Sequence, residues 1–259
     1  MQEQKQNSFI PAAILLAGFL IAMSIYFTNK DKNVVAEDPN IIPEVSINMK
    51  AVSEEDHILG NPEAPIVIVE FSDTECPYCK IFQTTMNSII DSYGKEGKVA
   101  WVYRHFPLDM LHSKARKESE ATECVNELGG NTAFWKMLDT IYARTPGNDG
   151  LDLSKLSEFA KEAGVDVDDF NSCLASGRYA GLVESHFQDG VKAGARGTPY
   201  NILLLKDTLS ISKESELNTY IMKNGLTENI MVYSSGKEIS LNGALPFGIM
   251  QAVFDIILK

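Results

Sequence analysis

Basic residues are scarce in this chain. Twenty-three lysines and arginines face 35 aspartates and glutamates, a formal charge of −12. Phosphate binding needs a basic face, so nucleic acid is not an expected partner. Cysteine is also sparse, with four in 259 residues; the even number is compatible with two disulfides in an oxidising compartment. The four histidines, His57, His105, His112 and His186, share no ligand spacing such as His-x-x-x-His, and no second ligand pair at zinc-like spacing accompanies the cysteines. No metal and no cofactor is therefore expected. Internal repeats and low-complexity blocks are missing too, and the 44% apolar content is ample for a packed core.

A nineteen-residue run without a charge spans Phe9 to Phe27. At 1.5 Å per residue it reaches about 28 Å, close to the thickness of a bilayer core. The segment reads as a transmembrane anchor or uncleaved signal over 9–27, after a tail at 1–8. The basic residues flanking it (Lys5 on one side, Lys30 and Lys32 on the other) do not set its orientation. Residues 28–52 are polar, contain Pro39 and Pro43, and read as a linker. The folded domain is expected over 53–259.

The chemistry is concentrated at Cys76-Pro77-Tyr78-Cys79, which follows the apolar run Ile66 to Phe71 and precedes residues at helical spacing: Phe82, Met86, Ile89, Ile90 and Tyr93. A dithiol thus sits where a strand hands over to a helix. Unpaired N–H groups and the helix dipole at that point favour a thiolate at Cys76, while Cys79, one turn in, can resolve a mixed disulfide. Glu70 ends the strand and should lie beneath the dithiol; as a buried acid it would relay the proton Cys79 loses or gains, and as an ordinary strand-end residue it would face water. Gly197-Thr198-Pro199 opens a second strand-like run, Tyr200 to Leu205. A cis bond there would set the Thr198 backbone beside the dithiol as an edge for substrate peptide.

The order of these parts resembles a DsbA-like thioredoxin-fold oxidoreductase of the branch carrying a helical insertion. The matching text runs from Asp56-His57-Ile58-Leu59-Gly60-Asn61-Pro62 through Val69-Glu70-Phe71-Ser72-Asp73, the dithiol and Tyr103-Arg104-His105-Phe106-Pro107 to Gly197-Thr198-Pro199 and Gly243-Ala244-Leu245-Pro246-Phe247. The resemblance implies an α/β, thioredoxin-like fold with a helical subdomain inserted at about 108–192, preceded by the transmembrane helix. It also implies Cys76 as nucleophile, Cys79 as resolving thiol, Glu70 as buried acid and Pro199 as cis-proline. Partners would be cysteine-containing exported proteins and a membrane redox partner, with oxidation, isomerisation and reduction all open as directions.

Two departures stand out. A polar stretch at 207–227 occupies the place of a direct turn into the final hairpin, and is expected to be an added helix or lid. Asp73 and Glu75 flank the nucleophile; taken as screened surface charges, they leave Cys76 modestly acidic. Cys124 and Cys173 fall on separate predicted helices and are expected to form a structural disulfide, the alternative being two buried thiols. Two rival functions remain: a metal-binding module built on Cys76 and Cys79, and a peptide-binding chaperone in which the dithiol is secondary.

Overall fold

The computed structural model describes residues 46–259 together with Met23. The expected tail, the apolar run apart from Met23, and the linker as far as residue 45 lie outside the described residues. Among the described residues no helix is long and apolar enough to cross a membrane.

Six strands form one sheet in the order β1-β3-β2-β4-β6-β5. They are β1 (His57–Leu59), β2 (Ile66–Ser72), β3 (Val99–His105), β4 (Tyr200–Leu205), β5 (Ile230–Val232) and β6 (Glu238–Asn242). Only β2 and β3 pair in parallel, and the link between them is helix α1 (Pro77–Ile89), as a parallel crossover requires. A π-helical turn, Ile90–Gly94, ends that crossover.

Strand alternation sorts β2 between the two faces. Ile66 and Ile68 join the larger core beside Phe82, Met86 and Ile89 of α1 and Val253 and Phe254 of α7 (Phe247–Leu258). Val69 and Phe71 join the opposite core with Val102, Phe106 and Ile202. Glu70 is in step with Ile66 and Ile68, which puts its carboxyl on the α1 face.

Between β3 and β4 stands the helical subdomain: α2 (Ala115–Arg144), a 3-10 turn at Leu153–Lys155, α3 (Leu156–Ala163), α4 (Val167–Ser176) and α5 (Ala180–Ala193). Gly130, at φ 71° and ψ −175°, breaks α2 in two beside Gly129. Asp152 caps the 3-10 turn by accepting from Ser154 N–H, and Asp166 caps α4 by accepting from Asp168 and Asp169 N–H. The subdomain has its own core of Ala121, Val125, Met137, Ile141, Phe159 and Phe170.

The polar stretch at 207–227 contains helix α6 (Ile211–Lys223), capped by Ser210. Leu217 and Ile221 are buried in the same core as α1 and α7, so this helix is part of the packing and not a cover that opens. Residues 46–52 are docked as well. Ile47 N–H donates to Glu238, Lys50 N–H donates to Asp189, and Arg104 donates to the carbonyls of Lys50 and Ala51.

Candidate active site

Cys76 is the N-cap of α1, in extended conformation, with Pro77 at the first helical position, where its missing N–H is no loss. Cys76 is 4% exposed and Cys79 fully buried. The Cys76 thiol lies 3.5 Å from the Thr198 carbonyl, to which it can donate, and the Thr198–Pro199 bond is cis. The geometry therefore joins Cys76, Cys79, Thr198 and Pro199 in one place.

The two sulfurs differ in their protons. A hydrogen bond from the Cys79 thiol brings Cys76 down to about 6, against the opposing effect of burial and with help from Thr198 and the N–H groups of Cys79 and Tyr78. Burial pushes Cys79 far up, and the neighbouring Cys76 thiolate and Glu70 push the same way. Glu70 is fully buried and accepts a 2.9 Å hydrogen bond from Trp101 Nε1. Burial raises its acid to about 7, with Ser72 and Trp101 pulling the other way. An acid so placed, poised near neutrality beside a thiol that ionises reluctantly, has the properties of a proton relay.

Asp73 and Glu75 are not surface charges, which corrects the screening argument. Both are buried, at 1% and 0% exposure. Asp73 accepts from His112 Nδ1 at 2.9 Å, Leu108 N–H at 2.7 Å and Glu75 N–H at 2.8 Å. Glu75 accepts from Thr145 Oγ1 and from the N–H groups of Gly150 and Leu151, while its carbonyl takes the Asn148 N–H at 2.8 Å. Burial, with the neighbouring Glu75 acting the same way, raises Glu118 to about 9. The 145–151 loop is thereby strapped to the residues preceding the dithiol. At Gly147 (φ 81°) a Cβ would stand 3.2 Å from Pro77 Cγ and 3.3 Å from the Glu75 carbonyl, and the left-handed backbone disfavours a side chain as well.

Sequence reasoning missed His112, Glu118, Tyr103 and Tyr142. The Tyr142 hydroxyl lies 3.0 Å from Ser72 Oγ and 3.1 Å from the Tyr103 hydroxyl, and donates to the Asp73 carbonyl. No local pattern marks these partners; the one available hint is a tyrosine two residues beyond Trp101 on a buried strand.

Cys124 and Cys173 are bonded, with Cα atoms 5.8 Å apart and a sequence separation of 49. They clip α2 to α4 inside the subdomain core.

Residues 52–216 match the family described as Thioredoxin. A protein of Salinispora tropica named Na(+)/H(+) antiporter NhaA 3 is 34% identical over 146 residues, 56% of this chain and 21% of that protein. The chain thus spans about a fifth of the length of the curated relatives it matches. Among solved structures, Pseudomonas aeruginosa DsbA2 superposes with a TM-score of 0.56 at 22% identity, over 80% of this chain and 96% of that one. Wolbachia pipientis alpha-DsbA1 gives 0.59 at 19% identity, over 80% and 92%. At these identities the structures share the fold.

Proposed function

The chain belongs to the thioredoxin family, and from that premise we propose that it is a thiol-disulfide oxidoreductase of the DsbA kind, working through Cys76 and Cys79. The observation that carries this reading is the split between the two sulfurs: an acidic one at a helix start, a reluctant one beneath it, and Glu70 buried alongside.

The cycle starts from the Cys76–Cys79 disulfide. A substrate thiolate attacks Cys76 Sγ, the disulfide breaks, and Cys79 leaves with the electron pair and takes a proton from Glu70. A second substrate thiolate then attacks the substrate sulfur of the mixed disulfide and expels Cys76 as thiolate, a good leaving group because its pKa is low. The substrate ends oxidised and the dithiol reduced by the same two electrons. Run backward, these steps reduce or isomerise. The Thr198 carbonyl beside Cys76 and the exposed side chains of Tyr78 and Ile81 support a peptide lying across the site.

The apolar run at 9–27 and the Cys124–Cys173 bond support a membrane-tethered domain outside the cytoplasm, acting on cysteines of exported proteins and reset by a membrane redox partner. Labelling Cys76 in intact cells with an impermeant thiol reagent, after brief treatment with an impermeant reductant, tests that placement, and complete protection sinks it. The rival in which the dithiol holds a metal has little support. Among the described residues the one group of three ligands, His57, His105 and Glu123, includes neither cysteine.

Rates of iodoacetamide alkylation across pH test the central reading. Cys76 should titrate with a midpoint near 6 while Cys79 stays unmodified. A midpoint near that of an ordinary thiol, about 8.5, would overturn it.

A further inference from the structure

At the end of β3, Arg104 donates to both oxygens of Asp56, at 2.8 and 2.9 Å, and to Asp189 at 2.7 Å. Its neighbour His105 puts Nε2 2.7 Å from Glu123 Oε1, and His57 puts Nε2 2.8 Å from that same oxygen. His186, from α5, stacks on His105 with ring centroids 5.6 Å apart.

Two features of this cluster stand out. Three buried carboxylates converge here: Asp56 and Asp189 are held by Arg104, and Glu123 is met by the imidazoles of His57 and His105. Buried charge is tolerated when it is paired or coordinates a metal. The second is His105 Nδ1, fully buried without a hydrogen-bond partner while two imidazoles share one carboxylate oxygen.

We propose that His57 Nε2, His105 Nε2 and the Glu123 carboxylate form a site for one divalent transition-metal ion of the zinc type. The three ligand atoms lie within 4.8 Å of one another, and all three residues are buried. Two imidazole nitrogens and one carboxylate oxygen suit zinc or cobalt; calcium and magnesium prefer oxygen alone. Each imidazole then binds through Nε2 with its proton on Nδ1, and at His105 that shift breaks no hydrogen bond made by Nδ1. The ligands come from β1, β3 and α2, so the ion fastens the sheet edge to the helical subdomain. Separations of 66 and 18 residues between Glu123 and the two histidines explain why no motif announces the site.

This inference is independent of the dithiol chemistry, and its test removes that chemistry. The full untagged chain, with Cys76 and Cys79 oxidised so that no thiol competes, is titrated with Co²⁺. Saturation at one equivalent with visible d–d absorption, reversal by Zn²⁺, and a zinc-dependent rise in Tm are expected. His57→Ala and Glu123→Gln should each weaken binding by at least about a hundredfold, beyond the usual effect of an outer-shell change. Absence of saturable binding to the wild type, or undiminished binding in the two variants, overturns the proposal. If the variants do not fold, the wild-type stoichiometry and Tm shift decide alone.

Discussion

Two cysteine pairs occupy two halves of the molecule and differ in nearly everything except the element sulfur. Cys76 and Cys79 stand at the mouth of a helix on the sheet half, beneath the Thr198 carbonyl and above a buried acid. Cys124 and Cys173 lie inside the helical half, joined across 49 residues and surrounded by Val125, Phe159 and Phe170. The first pair is placed so that one sulfur carries charge easily; the second is bonded and packed among apolar side chains. Reactivity here follows from position relative to backbone N–H groups and buried acids, and the residue type alone does not confer it.

The comparison can be broken most severely at Cys76. Cys76→Ser should abolish oxidation of a reduced dithiol peptide, because no other sulfur is presented at the site; turnover that survives would place the chemistry elsewhere. Removing the second pair should leave exchange intact and remove stability. The doubly substituted Cys124→Ala, Cys173→Ala chain is expected to lose roughly 4 kcal/mol in denaturant unfolding, the chain-entropy value for a loop of this length.

A third test concerns Glu70. Folded, this acid holds its proton up to about 7, whereas the unfolded group releases it near 4.5. Stability in the reduced protein is therefore full below that lower value and declines as pH climbs through the window. Glu70→Gln removes the decline. The stability difference between variant and wild type should grow by on the order of 3 kcal/mol from pH 4 to pH 8. A pH-independent difference would show that the carboxyl is solvated. The smallest effect is expected at Glu127, an exposed carboxylate 3.9 Å from Cys173 Sγ. Glu127→Gln should change stability by less than about 0.5 kcal/mol, as surface substitutions do. A larger shift would show that the Glu127 contacts to Arg178 and Tyr179 brace this edge of the subdomain.

How much of this was readable beforehand depends on how far each contact reaches along the chain. The dithiol, its strand and its helix are local, and the alternation of Ile66, Ile68 and Glu70 carried the acid to the correct face. Asp73 and Glu75 were misjudged because their burial depends on His112, 39 positions on from Asp73, and on Leu151, 76 on from Glu75. Helix α6 reads as polar because only one narrow stripe of it, around Leu217 and Ile221, meets the core. The histidine cluster is invisible to any spacing rule, since β1, β3 and α2 meet only after the sheet and the subdomain have come together.

Arg104 grips the carbonyls of Lys50 and Ala51 at the point where the chain enters the fold. Because β3 lies between β1 and β2, this grip fastens residues 50 and 51 to an interior strand of the sheet. Arg104 faces Phe71 in the parallel β2–β3 register, so the same side chain braces the strand end that leads into the dithiol.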